Sequence, residues 1–193
     1  MRRSFYNPSY RATLVNCLLL VVIVGCNAVV LWGLFGPRVT LQVQQVIAKE
    51  PEITKVVAKH PEGNRLVIPK IFLDQPIIDG PSQSALEKGP WRIPNTGNPE
   101  AGGNTVIAGH RFTYQGASVF YNFDKLAVGD KIGASWNGKI YNYTIVDVRN
   151  VLPNDAGVNS QVGPNRLTLY TCAPLWSTAQ RLVVTALPEG ESQ

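Results

Sequence analysis

Residues 131–148 read KIGASWNGKIYNYTIVDV, and this stretch predicts a β-hairpin. Two strand-like runs, 131–136 and 139–148, are joined by Asn137-Gly138. An Asn-Gly pair favours a type I′ turn, because both central residues of that turn need a positive φ. Along the second run, alternate residues are expected to point to opposite faces of a sheet. The hairpin is therefore the clearest local indication of a β-rich fold.

Further strands are predicted on both sides of this hairpin. They are short, and the connections between them are rich in Gly, Pro and Asn, notably residues 79–104 and 153–165. A short helix is expected around residues 82–88, and Pro69 favours an edge position or a bulge in the first strand. Several short strands with few helices predict an all-β fold, a small closed or nearly closed β-barrel. The additional strands are predicted at 65–71, 105–108, 166–171 and 181–187.

An apolar segment near the N-terminus predicts one transmembrane helix. Residues 13–35 contain no charged side chain, and about 20 apolar residues suffice to cross a bilayer as a helix. The alternative is a cleaved signal peptide, whose apolar region is usually shorter. Because Pro37-Arg38-Val39 follows without a small-x-small cleavage site, we interpret the segment as an uncleaved anchor.

The charges around the anchor predict its orientation. Arg2, Arg3 and Arg11 precede it and no acidic residue does, so the N-terminus is expected in the cytoplasm of a single-pass membrane protein. These arginines supply three of the five net positive charges, which leaves an external part close to neutral and gives no sign of nucleic-acid binding. The predicted divisions are a cytoplasmic N-terminus 1–12, an anchor 13–35, an extracytoplasmic linker or stalk 36–64 and a compact domain 65–193.

The three cysteines of the chain fall into two groups. Cys17 and Cys26 lie in the apolar anchor, where a thiol packs as a small apolar side chain. Cys172 is then the one thiol of the external domain, and it cannot form a disulfide within that domain. An inert buried cysteine is the alternative to a reactive one.

Cys172, His110 and Arg181 together supply the groups needed for thiolate acyl transfer. The thiolate is the nucleophile, and a neighbouring imidazole can exchange its proton with the leaving or incoming amine. Arginine stays charged and offers several N–H donors to an oxyanion. Each of the three lies at an end of a predicted strand, and an antiparallel return after Pro174 would bring Arg181 beside Cys172. The alternative for the same residues is an exposed His, a core Cys and a surface Arg.

The motifs around these residues resemble those of the sortases, membrane-anchored cysteine transpeptidases of the bacterial cell surface. The resemblance covers residues 65–187 and implies an eight-stranded β-barrel. It is carried by the following segments: Gly103-Asn104-Thr105-Val106-Ile107, Ala108-Gly109-His110-Arg111, Leu126-Ala127-Val128-Gly129-Asp130, Thr168-Leu169-Tyr170-Thr171-Cys172 and Arg181-Leu182-Val183-Val184.

The resemblance also implies a reaction and its partners. Cys172 would attack the Thr carbonyl of an LPxTG-like or LAxTG-like sorting signal at the C-terminus of a secreted protein. His110 would act as general acid and then base, and Arg181 would stabilise the oxyanion. An amine of a peptidoglycan precursor or a pilin would resolve the thioacyl intermediate. No cofactor or metal is implied.

Two further residues are candidates for substrate binding. Tyr114, in the stretch His110-Arg111-Phe112-Thr113-Tyr114, matches a class E pattern linked to preference for alanine at the second motif position; residues 120–126 also resemble class D. Thr171 is the second candidate, next to Cys172. A hydrolytic cysteine peptidase and a catalytically idle surface binding module remain alternatives to a transpeptidase.

Overall fold

The structure is a computed structural model that describes residues 8–47, 50–59, 63–161 and 163–190. Arg2 and Arg3, used above for the orientation, lie outside the described residues. Two α-helices come first, α1 (Pro8–Ile47) and α2 (Ile53–Ala58). The strands are β1 (Arg65–Ile68), β2 (Leu73–Pro76), β3 (Ile78–Asp79), β4 (Trp91–Arg92), β5 (Asn104–Ala108), β6 (Phe112–Thr113), β7 (Gly116–Ala117), β8 (Lys131–Trp136), β9 (Lys139–Val151), β10 (Arg166–Ala173) and β11 (Gln180–Pro188).

Nine strands form one sheet in the order β2-β1-β8-β9-β11-β10-β5-β4-β3, and β6 and β7 form a separate hairpin. The two edge strands, β2 and β3, are separated along the chain by Ile77 alone. The chain therefore joins the two edges of the sheet directly, which makes the barrel nearly closed. With β2 and β3 counted as one strand, the sheet has the eight strands expected. The all-β prediction is confirmed.

The predicted hairpin is present as β8 and β9. Asn137 has φ 48° and Gly138 has φ 77°, the positive values that the type I′ turn requires. Trp136 and Lys139 are paired directly across this turn. Tyr143 is buried on the inner face of β9, in the core of the barrel. The hairpin prediction is confirmed, although β9 runs to Val151, three residues beyond the predicted end.

The strand predictions differ from the structure in the first strand and in the short strands β2, β3, β4, β6 and β7, which were not predicted. The first strand ends at Ile68 instead of residue 71, because Pro69 begins a 3₁₀ turn, Pro69–Ile71. Proline has no N–H to donate to a neighbouring strand and fixes its own φ, so it ends the ladder here. The structure also contains β4, Trp91–Arg92, inside a region predicted as loop. A strand of two residues carries too little periodicity to be recognised in the sequence.

The short helix predicted at 82–88 is present as a 3₁₀ helix, Gln83–Lys88. The core of the barrel contains two stacked rings, Phe120 and Phe123, whose centroids lie 4.5 Å apart. Both rings are fully buried, together with apolar side chains from the inner faces of β1, β5 and β10. The core thus lies directly behind the ends of β5 and β10.

The apolar N-terminal segment forms part of α1. Among the described residues, only Ala12–Gln44 is long and apolar enough to cross a membrane, with a mean hydropathy of 2.7 and no buried residue in its most apolar part. These properties make it a candidate membrane anchor. The helix continues through Pro37 to Ile47, and near its end Leu41 is 3% exposed within the core of the barrel.

The segment predicted as a linker, 36–64, is thus helical in two parts of its length. In the second part, α2, Ile53 lies against Gly133 of β8 so closely that a Cβ on this glycine would overlap the Ile53 side chain. Both helical parts contact the barrel instead of running free from it. The predicted domain boundaries at 12, 35 and 64 stay predictions.

Candidate active site

Cys172 and Arg181 lie side by side on neighbouring strands. In the antiparallel pair of β10 and β11, these two residues are direct Cα partners, and side chains of direct partners leave the sheet on the same face. The Cys172 thiol is free and half-buried. The predicted antiparallel return after Pro174 is confirmed, because it is this return that places Arg181 opposite Cys172.

His110 lies on the other side of β10 and lines the same cleft as Cys172 and Arg181. Strands β5 and β10 run parallel with Ala108 opposite Tyr170, and the Gly109 amide donates a hydrogen bond of 3.1 Å to the Tyr170 carbonyl. His110 follows two residues after Ala108, and Cys172 follows two residues after Tyr170. The strand order β11-β10-β5 places Arg181, Cys172 and His110 in a row. All three line one cleft of about 790 Å³.

Hydrogen bonds and a close contact hold the backbone before and at His110. The Thr171 hydroxyl donates to the Gly109 carbonyl at 2.8 Å. A Cβ on Gly109 would overlap the buried Phe120 ring, so only glycine fits there. The Phe120 amide in turn donates to the His110 carbonyl at 2.9 Å. The imidazole is thus carried by a loop that rests directly on the core.

Thr171, one of the two predicted substrate-binding residues, is among the residues that line the cleft. It is only 2% exposed, and its hydroxyl is used by the Gly109 carbonyl. The side chain therefore acts on the loop that carries His110. Substrate binding through this residue stays a prediction.

The imidazole of His110 has a carboxylate partner that the sequence did not reveal. His110 Nε2 lies 3.1 Å from Glu87 Oε1, and Glu87 belongs to the 3₁₀ helix Gln83–Lys88. Within the described part of the chain, no hydrogen bond joins His110 to Cys172. The sequence contains no local motif that would have linked Glu87 to the histidine, since the two meet only through the fold.

The Arg181 guanidinium is held by the loop between β10 and β11. Its Nη1 atom donates to the carbonyls of Thr178 and Gln180, each at 3.0 Å. A guanidinium carries five N–H donors, so donors remain for a group bound in the cleft. The loop thus orients the charge while leaving part of it available.

Tyr170 lies two residues before Cys172 on the same face of β10 and also lines the cleft. Burial raises the pKa of its phenol above the ordinary value; the nearby Arg181 charge opposes this shift, and the Cys172 thiol adds to it. The phenol is therefore neutral at physiological pH and offers a hydrogen-bonding O–H beside the thiol.

Aromatic side chains form one end of the cleft. The Phe112 and Trp176 rings meet edge to face with centroids 3.9 Å apart. Tyr114, the second predicted substrate-binding residue, stands in the turn between β6 and β7 and is 95% exposed. It lines the cleft as well. Trp176 was missed in the sequence, where it follows Cys172 in a loop without periodicity.

Two neighbouring strands carry a thiol and a guanidinium, and the loop after β5 carries an imidazole. All three residues line one cleft, which is the arrangement that cysteine-dependent acyl transfer requires. The family comparison agrees with this class of site. The family model described as the sortase domain matches residues 66–189. The chain belongs to the sortase family.

Individual sortases are similar to more than half of this chain. Sortase A of Bacillus anthracis is 30% identical over 121 residues, which cover 62% of this chain and 56% of that protein. Sortase D of Bacillus subtilis (strain 168) is 32% identical over 110 residues, covering 56% and 53%. The chain spans about half the length of these curated relatives.

Solved structures share the fold. Sortase A from Corynebacterium diphtheriae matches with a TM-score of 0.60 and 28% identity, covering 68% of this chain and 62% of that one. A sortase D5 transpeptidase from Clostridium perfringens matches with a TM-score of 0.58 and 29% identity, covering 72% and 90%.

Proposed function

We propose that this protein is a membrane-anchored cysteine transpeptidase that joins secreted proteins to an amine at the cell surface. The observation that carries the proposal is the row of Arg181, Cys172 and His110 along one cleft. Membership of the sortase family supports the same reaction class. The proposed substrate is an extended sorting signal of the LPxTG or LAxTG kind.

In the first half of the reaction, the Cys172 thiolate attacks the carbonyl carbon of the Thr in the signal. Negative charge develops on the carbonyl oxygen, and the Arg181 guanidinium donates hydrogen bonds to it. As the C–N bond to Gly breaks, protonated His110 gives its proton to the leaving amine. The products are a thioester on Cys172 and a free C-terminal fragment of the signal.

In the second half, an amine attacks the thioester carbonyl. His110, now neutral, accepts the proton of this amine, and the sulfur leaves as thiolate. The new amide joins the secreted protein to its acceptor, which we propose is a peptidoglycan precursor or a pilin. The half-buried position of Cys172 supports its role as the nucleophile, because it leaves the sulfur accessible from the cleft.

The walls of the cleft suit an extended peptide with an apolar side chain at its start. Apolar groups from Leu86, Leu152 and Val158 line it. We propose that Tyr114, at the rim, contacts the second motif position. Its place after His110 supports a class E-like preference for alanine, and peptides that differ only in Pro or Ala at this position test it. Equal turnover of both peptides by the protein and by Tyr114→Ala would contradict this role.

We also propose that α1 crosses the cell membrane once, with the N-terminus in the cytoplasm and the barrel outside. The exposed apolar surface of Ala12–Gln44 supports the crossing, and Arg2, Arg3 and Arg11 before it support the direction. Labelling of Cys172 in intact cells by a membrane-impermeant thiol reagent tests this topology. Labelling only after lysis would contradict it.

The reaction is tested by product analysis with a peptide that contains the sorting motif. Incubated with an added amine, the protein should yield the amide between the Thr carboxyl and that amine, and Cys172→Ala should yield none. Release of the free acid alone, even with excess amine, would instead indicate a hydrolytic peptidase. Normal peptide binding without any cleavage, together with a Cys172 thiol that does not react with alkylating reagents, would indicate a binding module.

A further inference from the structure

The part of α1 around the end of the apolar segment, residues 34–41, lies against the barrel near the histidine loop, which is residues 109–111 between β5 and β6. The Tyr121 hydroxyl donates a hydrogen bond of 2.6 Å to the Leu34 carbonyl. One turn later, the Arg38 guanidinium lies over the Tyr121 ring, 5.3 Å from its centroid. Leu41 completes the contact by entering the barrel core. Residues 34–41 are therefore docked on the barrel by polar, cation–π and apolar contacts together.

Asp124 connects this docked segment to the residue after His110. Its carboxylate accepts from Arg38 Nη1 at 3.1 Å and Nη2 at 3.4 Å. The same carboxylate lies 3.0 Å from Arg111 Nη2. One acidic group thus bridges two guanidinium groups, one on the anchor helix and one on the histidine loop.

Arg111 depends on this bridge because of its position. It is 5% exposed, and apart from Asp124 its guanidinium contacts the Tyr121 carbonyl, with Nε at 3.4 Å. A buried guanidinium needs a well-placed counter-charge. The Arg111 carbonyl accepts from the Ser118 amide at 3.2 Å, as the His110 carbonyl accepts from Phe120. Movement of Asp124 would therefore displace the backbone that carries the imidazole.

We propose that residues 34–41 of α1 are a positioning element of the active site, which acts through Arg38 and Asp124 on Arg111 and so fixes the place of His110. The membrane anchor then does more than keep the enzyme at the membrane, since its turns at and beyond the end of the apolar segment set the geometry of the general acid. The effect on turnover rests on the proposed catalytic role of His110; the docking itself does not.

The test uses the full chain in detergent micelles or nanodiscs. Arg38→Ala removes the bridge to Asp124, and Tyr121→Phe removes the hydrogen bond to Leu34 without touching any charge. The matched control is Arg149→Ala, which removes another exposed Arg–Asp ion pair, with Asp147 on β9, and neither residue lines the cleft. Arg38→Lys keeps the charge and loses the bidentate contact.

Two readouts separate the docking from its effect on catalysis. In hydrogen–deuterium exchange, Arg38→Ala and Tyr121→Phe should speed exchange at the Ser118 and Phe120 amides, while Arg149→Ala should not. With a sorting-signal peptide, Arg38→Ala should lower kcat about tenfold with little change in KM, because His110 is misplaced while the cleft is intact. Arg38→Lys should recover part of this loss.

Each outcome bears on the proposal. Exchange rates in Arg38→Ala that match those of Arg149→Ala would overturn the docking. Faster exchange with unchanged kcat would overturn the positioning role. If the unmutated chain processes no peptide, the proposed function fails, and the exchange experiment still decides whether the anchor holds the loop.

Discussion

The imidazole of His110 and the carboxylate of Glu87 form a hydrogen-bonded pair, with Nε2 and Oε1 3.1 Å apart. The Glu87 side chain is 70% exposed, and pairs this exposed contribute little free energy because water screens them. We interpret the contact as one that orients the imidazole ring while the cleft is empty. It would break when a peptide enters the cleft.

Glu87→Gln should therefore have a small effect. The amide can still hydrogen-bond to the imidazole, and only a weak, screened attraction is lost, so kcat/KM should change by less than about fivefold. His110→Gln in the same assay should abolish turnover. A loss of 100-fold or more in Glu87→Gln would show that the carboxylate itself takes part in the chemistry.

Thr171→Val should destabilise the domain and lower activity together. The substitution keeps the side-chain volume and removes the hydroxyl that donates to the Gly109 carbonyl. An unpaired buried carbonyl costs about 1–3 kcal/mol of unfolding free energy. Denaturant unfolding measures this loss. The control is Thr185→Val on β11, since the Thr185 hydroxyl makes no hydrogen bond within the described part of the chain. Equal stability of the two variants would contradict the role assigned to Thr171.

The row of functional groups could be predicted from the sequence because local patterns determine it. Cys172 and Arg181 stand at the two ends of a short connection between strong strands, and such a connection makes the strands antiparallel neighbours. His110 follows a short apolar strand. The hairpin at Asn137-Gly138 was equally predictable, since its turn depends on two residues alone.

Contacts between distant parts of the chain could not be predicted. Glu87 meets His110 through the placement of a 3₁₀ helix, and Arg38 meets Asp124 across 86 positions of sequence. The apolar composition of α1 indicated a membrane span, and composition carries no information on what the helix contacts beyond that span. Thr171 was recognised only as a neighbour of Cys172, because its inward direction follows from the register of β10 with its neighbours.

Gly109→Ala should disturb the histidine loop by a steric mechanism. The added methyl group would overlap the Phe120 ring, which is fully buried and cannot move away. Overpacking of this kind costs about 1–3 kcal/mol of unfolding free energy, and kcat should fall because His110 is displaced. Phe120→Leu in the same chain should recover part of both losses. If the effects of the two substitutions on unfolding free energy and on kcat are instead additive, the contact does not set the position of the loop.

The pH dependence of kcat/KM should be bell-shaped, because one limb reports formation of the thiolate and the other loss of the imidazolium proton. Tyr170 should contribute to neither limb. Its raised pKa keeps the phenol neutral across the working range. Tyr170→Phe should therefore leave both limbs in place. Movement of the alkaline limb in this variant, or a rate that rises steadily to high pH, would contradict the proposed roles.

The central claim is that Cys172 forms a thioacyl intermediate with help from its two neighbours in the row. Intact-mass spectrometry of the full chain, quenched soon after mixing with a sorting-signal peptide, tests it most directly. We predict an adduct equal to the peptide up to and including its Thr, located on Cys172 by fragmentation. The adduct should form at least about 100-fold more slowly in Arg181→Ala and not at all in Cys172→Ala. Peptide cleavage without any adduct on Cys172, or with an adduct on another residue, would contradict the claim.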